Sequence, residues 1–250
     1  LMRRFIVPQL VAGTQSFALP PEIAHHIVRV LRLGPADNFI LCNGAGLSCR
    51  VVLEETPSEH AQVRVLEWYT EAETAVHIEL IQGLPKKDRF ELVLQKNTEL
   101  GVSAFAPVYT RRCQGRIAAA KVEKKLQRWE KIVQEAARQS GRSRVPGVER
   151  PQDLEEALEG SSAALRLVLW EEADLELSAA LPQHLDSPAA GIVLLVGPEG
   201  GLERTEVENA RASGFIPVRF GPRILRTETA GFAVVAVLQY LYGDTGRRSA

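Results

Sequence analysis

Gly191-Ile192-Val193-Leu194-Leu195-Val196-Gly197-Pro198-Glu199-Gly200-Gly201 decides how this chain folds. The run from Ile192 to Val196 has no polar face, which marks a strand buried on both sides in a parallel sheet. Glycines and a proline follow at once, and Glu203 to Ser213 then reads as a helix stopped by Gly214. In open α/β sheets small molecules bind just beyond the carboxyl ends of strands. Glycine there lets the backbone approach a ligand closely. Residues 197–201 therefore read equally as a ligand loop and as a tight strand-to-helix turn. They match neither the P-loop, since no Gly-Lys-Ser/Thr follows, nor the GxGxxG dinucleotide fingerprint.

Downstream lies Phe220-Gly221-Pro222-Arg223-Ile224-Leu225-Arg226-Thr227-Glu228-Thr229-Ala230-Gly231. This loop runs straight into an apolar helix, about Thr229 to Tyr242, that ends at Gly243. Thr227 or Glu228 is placed to cap that helix. Arg226 and Glu228 are charges beside a buried element, which burial disfavours unless they are paired or used. An internal salt bridge and a catalytic role are both open for them.

Upstream, strands and helices alternate from about residue 75, which predicts an α/β layer structure. The strand candidates are Val76–Ile81, Ala104–Val108, Leu165–Leu169 and Gly191–Val196. Asp88 can cap a helix that runs through Leu100 and stops at Gly101. Val122, Leu126, Trp129, Val133 and Ala136 mark a long amphipathic helix ending near Gly141.

The first seventy residues read differently, as a small β-rich unit. Phe39–Cys42 and Cys49–Leu53 flank the hairpin connection Asn43-Gly44-Ala45-Gly46, and Gln62–Leu66 alternates as a further strand. One helix, about 21 to 32, opens at Pro20-Pro21 and repeats apolar residues at Ile23, Ile27, Val30 and Leu31. His25, Arg29 and Arg32 then share its opposite face. Residues 68–75 are the best linker candidate. The expected domains are thus 1–70 and 75–250.

Composition bounds the function. The chain has 250 residues, 45% hydrophobic and 24% charged, as in a soluble globular protein. No apolar run has the length of a membrane span, and Leu1–Pro8 does not read as a secretory leader. Cys42, Cys49 and Cys113 show no CxxC spacing, so thiols in a reducing cytoplasm are expected rather than disulfides or zinc. His25, His26, His60, His77 and His184 show no ligand spacing either, and no metal is expected. The net charge of −1 hides an asymmetry. Residues 111–150 hold twelve Lys/Arg against four Asp/Glu, a net of +8, and residues 151–210 hold two against thirteen, a net of −11. The basic stretch suits a polyanion. Arg138, Arg142 and Arg144 sit with Gln139 and Ser140 near its helix end. There they complement the helix dipole or contact phosphates and bases.

Five segments in this order resemble one family, the RsmE-type 16S ribosomal-RNA uridine-N3 methyltransferases of the SPOUT superfamily. They are His25–Leu33, Gln95–Val102, Glu135–Arg142, Gly197–Gly201 and Arg223–Ala230. Asn97 departs from the small residue more usual there. The resemblance implies an N-terminal PUA-like β-barrel for RNA, a C-terminal α/β domain with a deep trefoil knot, and a homodimer. It implies S-adenosylmethionine held by Leu169–Glu171, Gly197–Gly201 and Gly221–Ala230. The contacts expected within those loops are Leu169, Glu171, Gly197, Pro198, Glu199, Gly200, Gly201, Gly221, Ile224, Leu225, Arg226, Thr229 and Ala230.

Uracil N3 carries a proton, so its methylation needs an anion stabiliser and a proton acceptor. Arg226 or Arg142 suits the first role and Glu228 or Glu199 the second. For 16S ribosomal RNA or the small subunit, the expected contacts are His25, Arg29, Arg32, Arg111, Arg112, Arg116, Arg138 and Arg142. Another RNA target, a ribose hydroxyl or a transfer RNA, and a non-catalytic RNA-binding role stay open at this point.

Overall fold

A computed structural model describes residues 2–54, 61–71, 76–185 and 191–246. The chain forms two compact units, Leu1–Glu73 with Ala137–Val145, and Thr74–Ala136 with Pro146–Ala250.

The first unit holds β1 (Arg4–Ile6), β2 (Ser16–Ala18), α1 (Pro21–His25), β3 (Asn38–Cys42), β4 (Leu47–Leu53) and β5 (Gln62–Thr70). Its sheet order is β1-β3-β4-β5-β2, with β1 parallel to β3 and the other pairs antiparallel. Alternation along β4 sends Cys49, Val51 and Leu53 inward onto Phe5, Phe39, Leu41 and Ile27. The β3–β4 turn forms as its residues dictate. Asn43 Oδ1 accepts from the amides of Ala45 (2.8 Å) and Leu47 (3.1 Å), and Gly44 and Gly46 take positive φ. The same turn binds residues 143–145. Gly46 N donates to Ser143 O (3.2 Å) and Val145 N to Gly44 O (2.9 Å). Arg4 clamps the sheet end with a two-pronged bond to Glu71 at 2.7 and 2.6 Å.

Two expectations change here. The helix at 21–32 is a single α turn followed by a π-helical turn, His26–Val30. Leu31 ends it, and Arg32 lies outside at φ +54°. The wider π winding breaks the 3.6-residue spacing. Val30 is therefore exposed rather than part of the apolar stripe, and His25, Arg29 and Arg32 do not share a helical face, although all three are exposed. The linker candidate also shrinks. Residues 68–70 complete β5, and residues 72–75 lie outside the described residues, as does His60.

The second unit is a parallel sheet with helices. In chain order it holds β6 (Ile78–Gly83), α2 (Arg89–Glu99), β7 (Ala104–Tyr109), α3 (Ala119–Ser140), β8 (Gly147–Val148), β9 (Gln152–Asp153) and α4 (Leu154–Gly160). After these come β10 (Leu165–Leu169), α5 (Leu177–Ala180), β11 (Ile192–Val196), α6 (Arg204–Ala212), β12 (Ile216–Val218) and α7 (Thr227–Tyr242). The last residues of α3 belong to the first unit. The sheet order is β12-β10-β11-β6-β7-β8, with β9 also on β7, and every pair is parallel. β11 lies between β10 and β6 and is buried along its whole length, as its apolar run requires.

The helix stops behave as expected. Gly101, Gly141 and Gly214 follow α2, α3 and α6 with φ of +92°, +82° and +84°. One cap does not. Arg226 occupies the N-cap of α7, and Thr227 and Glu228 are already inside the helix and buried. No described helix is long and apolar enough to cross a membrane.

Candidate active site

The carboxyl ends of β10, β11 and β12 open onto one cleft of about 380 Å³. Three loops line it: Leu169–Glu171, the turn at 197–202, and Arg219–Arg226 leading into α7. Its walls are apolar (Leu169, Trp170, Val196, Leu202, Val218, Phe220, Leu225), and charge is confined to Arg89, Glu171, Glu199, Arg219, Arg223 and Arg226. Apolar walls with a few aimed polar groups, at this volume, suit a small organic ligand; such pockets run from about 300 to 1,000 Å³.

The loops converge because β6 lets them. A Cβ on Gly83 would fall 2.6 Å from Pro198 Cδ and 2.7 Å from its nitrogen, so only glycine allows the 197–198 turn to lie on the end of β6. Beside it, Gln82 is fully buried. Its Nε2 faces Gly83 O at 3.0 Å, Gly197 O at 3.2 Å, Val196 O at 3.4 Å and Thr227 Oγ1 at 2.9 Å. Thr227 Oγ1 in turn donates to Gly197 O at 2.5 Å. One amide and one hydroxyl thus tie β6, the glycine turn and the start of α7 together.

Glu199 faces the cleft with a fixed carboxylate. It accepts from the Lys86 amide at 2.9 and 3.2 Å and from Arg89 Nη1 at 3.4 Å. Glu171 lies under Gly201, whose missing Cβ would meet its Oε1 at 3.1 Å. The third loop is latched from below. Glu176 accepts from Arg219 Nε (2.9 Å) and Nη2 (2.6 Å) and from Gly221 N (3.3 Å). The Arg219 hydrogen bonds hold the Glu176 carboxyl below the usual carboxylate range.

Of the residues expected to bind cofactor, Leu169, Glu171, Gly197, Pro198, Glu199, Gly201, Gly221, Ile224, Leu225, Arg226 and Ala230 line the cleft, and Gly200 and Thr229 do not. Gly200 instead accepts from Arg112 Nη1 at 2.9 Å. Among the proposed catalytic residues, Arg226 and Glu199 line the cleft. Glu228 is buried and is not a lining residue, and its Oε2 has no hydrogen-bond partner among the described residues. Arg142 belongs to the first unit. Of the expected RNA contacts, His25, Arg29, Arg32, Arg138 and Arg142 lie in the first unit and Arg111, Arg112 and Arg116 in the second. Arg112 and Arg116 face the carboxylates of Glu203 and Asp153, and Arg116 also stacks on Tyr109. No described group of His, Cys, Asp and Glu is arranged to hold a metal ion.

Sequence reasoning missed Gln82, Glu176 and Arg219. Trp170 lies within the expected loop Leu169–Glu171, although it was not named among the contacts, and it lines the cleft. Glu176 and Arg219 meet across 43 positions, and no local pattern marks them.

Comparison with known proteins agrees with this geometry. The family model for an RNA methyltransferase domain matches residues 72–239, and that for an RNA methyltransferase PUA domain matches residues 19–66. The ribosomal RNA small subunit methyltransferase E of Bacillus subtilis is 34% identical over 247 residues, 96% of each chain. That of Mycobacterium tuberculosis is 34% identical over 224 residues, 86% of this chain and 83% of that protein. The crystal structure of the Neisseria gonorrhoeae ribosomal RNA small subunit methyltransferase E bound to S-adenosyl methionine superposes with a TM-score of 0.86. It is 36% identical and covers 98% of this chain and all of that one. A Legionella pneumophila methyltransferase in complex with the same cofactor also gives 0.86, at 31% identity over 98% and 99% of the two chains. With an RNA methyltransferase domain over most of its length and near-full-length relatives at this identity, the chain belongs to the ribosomal RNA small subunit methyltransferase E family.

Proposed function

We propose that this chain transfers a methyl group from S-adenosylmethionine to N3 of a uridine in 16S ribosomal RNA. The observation that carries the reading is the single cleft built from the loops after β10, β11 and β12. Its residues fit the cofactor's chemistry. Leu169, Leu225 and Ile224 offer apolar surface to a purine, and Ile224, 88% exposed, is otherwise unexplained. Backbone groups of Gly197–Gly201 and Gly221–Ala230 offer hydrogen bonds to its edge, and Glu171 offers an acceptor for hydroxyl or ammonium groups.

When bound, S-adenosylmethionine supplies an electrophilic methyl group, which the N3 lone pair takes while sulfur keeps the bonding electrons. Before N3 can attack, its proton must leave. An arginine stays charged and is a poor base. Arg226, exposed at the cleft, stabilises the negative charge spread over the two uracil oxygens. Arg142 is the second candidate for that role. Glu199 is the proton acceptor, because it lines the cleft and Glu228 does not. Lys86 N and Arg89 hold its carboxylate in one orientation, and its partial exposure releases the proton to water.

The domain roles follow. Residues 1–70 act as a PUA-like barrel that docks RNA through His25, Arg29 and Arg32. Residues 75–250 form the SPOUT domain, knotted where the chain passes through the 197–201 and 221–230 loops. Arg111, Arg112, Arg116 and Arg138 extend the phosphate-binding surface, as their place in the basic stretch supports. The enzyme works as a homodimer in the cytoplasm. Helix α7 supports the dimer: from Phe232 on it is apolar almost all round, yet Tyr240 and Leu241 are 65% and 48% exposed, and a helix of that kind is normally covered.

The test is methylation of 16S RNA and of small ribosomal subunits with labelled S-adenosylmethionine, followed by nucleoside identification. N3-methyluridine is expected. A 2′-O-methyl nucleoside, a methylated transfer RNA in competition, or no transfer overturns the reading.

A further inference from the structure

We infer that Gln82, with Thr227, is a positioning residue for the cofactor cleft, a clasp that sets where the glycine turn and the start of α7 stand. The inference rests on the methyltransferase reading and centres on Gln82, which lies outside the cofactor loops and does not line the cleft.

Orientation comes first. Three of the atoms facing the inner end of Gln82 are carbonyl oxygens, those of Gly83, Val196 and Gly197. Carbonyls only accept, so the side-chain NH2 must point at them; the flipped amide would set oxygen against oxygen. The fourth neighbour, Thr227 Oγ1, accepts from the same NH2 and passes its own hydrogen to Gly197 O. Gly197 O therefore sits between two donors, one on β6 and one on α7, at sequence separations of 115 and 30.

The consequence is geometric. Gly197, Pro198, Glu199 and Gly201 form one wall of the cleft, and Leu225, Arg226 and Thr227 form another. Among the described residues no other side-chain hydrogen bond joins these two walls directly, and both side chains are buried, Gln82 fully, so a lost partner is costly. Gly83, next to Gln82, lets Pro198 lie directly on β6, so the same strand end supplies both the seat and the clasp. Arg226, the proposed anion stabiliser, is the residue immediately before Thr227. A shift of that residue by even an ångström degrades both cofactor contact and orientation at the reacting nitrogen.

The experiment compares the wild-type chain with Gln82→Met, Thr227→Val, Thr227→Ser and the double variant Gln82→Met/Thr227→Val. S-adenosylmethionine affinity is read by calorimetry, single-turnover methyl transfer to small subunits at saturating cofactor, and folding by circular dichroism. Gln82→Met and Thr227→Val should stay folded and bind the cofactor about tenfold more weakly or worse, the scale of one buried hydrogen bond with its unsatisfied partner. Their single-turnover rates should also fall. Thr227→Ser, which keeps the hydroxyl, should recover most of the affinity. The double variant should bind little worse than the weaker single, because the two act as one network.

Folded Gln82→Met and Thr227→Val with affinity and rate within about twofold of wild type overturn the inference. So does a fully additive double variant. If both substitutions prevent folding, the wild-type side-chain amide of Gln82 decides. Its proton resonances should be protected from solvent exchange and should move when S-adenosylmethionine is added, and an unprotected or unmoved pair overturns the clasp. A wild-type chain that neither binds S-adenosylmethionine nor transfers methyl overturns the enzymatic reading itself, a result separate from the variant comparison.

Discussion

Replacing Gly83 by alanine adds one methyl group where the structure has no room. The new carbon would stand 2.6 Å from Pro198 Cδ, 2.7 Å from Pro198 N and 3.1 Å from Gly197 C. Ordinary carbon contacts begin at about 3.5 Å, so the turn must retreat by nearly an ångström. The obstacle is backbone and a proline ring, neither of which can swing aside. Alanine gains about 0.4–1 kcal/mol by restricting the unfolded chain. Overpacking costs about 1–3 kcal/mol. The retreat also stretches the Gln82 bond to Gly197 O, already 3.2 Å, at a net cost of about 1 kcal/mol. The balance is a loss of about 1–3.6 kcal/mol, which at about 2–4 °C per kcal/mol for a chain of this size lowers Tm by about 2–14 °C. Thermal melts followed by circular dichroism, with and without S-adenosylmethionine, measure it. Gly147→Ala is the control, because a Cβ there meets nothing within 4 Å and needs no positive φ. The stabilisation conferred by the cofactor should shrink as well, since the displaced turn is a wall of its cleft. A Gly83→Ala chain melting at or above wild type, with undiminished cofactor stabilisation, refutes the argument that β6 seats the turn.

Four further outcomes follow from the structure. Arg226→Ala should lower turnover at saturating cofactor by about 10²–10³, the cost of one lost oxyanion-type contact, and Arg142→Ala should also lower it; intact turnover in both removes the anion-stabiliser assignment. Glu176→Gln should weaken cofactor binding while leaving the melting curve nearly unchanged, because the latch is at the surface. Since Glu176 has a lowered folded pKa, the latch is fully present above its unfolded value of about 4.3 and is lost as pH falls through the lower folded value; a carboxyl signal for Glu176 titrating above 4.3 contradicts the pairing. Burial pushes the Cys49 thiol up to about 11 and raises that of Cys42, so alkylation of the native protein near pH 8 should modify Cys113 alone until the chain is unfolded, and mass spectrometry reads the sites.

The parallel sheet was legible because burial on both faces leaves a local trace: Ile192–Val196 has no polar residue to turn outward, and the structure buries every one of them. Helix ends were legible for a similar reason, since Gly101, Gly141 and Gly214 adopt a backbone conformation that few other residues accept. Two loops of the cleft, Leu169–Glu171 and Gly197–Gly201, could be placed from the strands they follow, whereas Gly221–Ala230 was assigned through the family resemblance. Short elements were not legible. β12 has three residues, too few for a period, and the π turn after α1 violates the spacing on which helical faces are read. The clasp and the latch lay further out of reach. Gln82 meets Thr227 across 145 positions and Glu176 meets Arg219 across 43, and nothing in the composition around either residue marks its partner. Patterns of apolar residues encode which face is buried, a property of neighbours along the chain. Which donor finds which carbonyl depends on how β6, β11 and α7 are brought side by side, and that exists only after the strands have been ordered in the sheet.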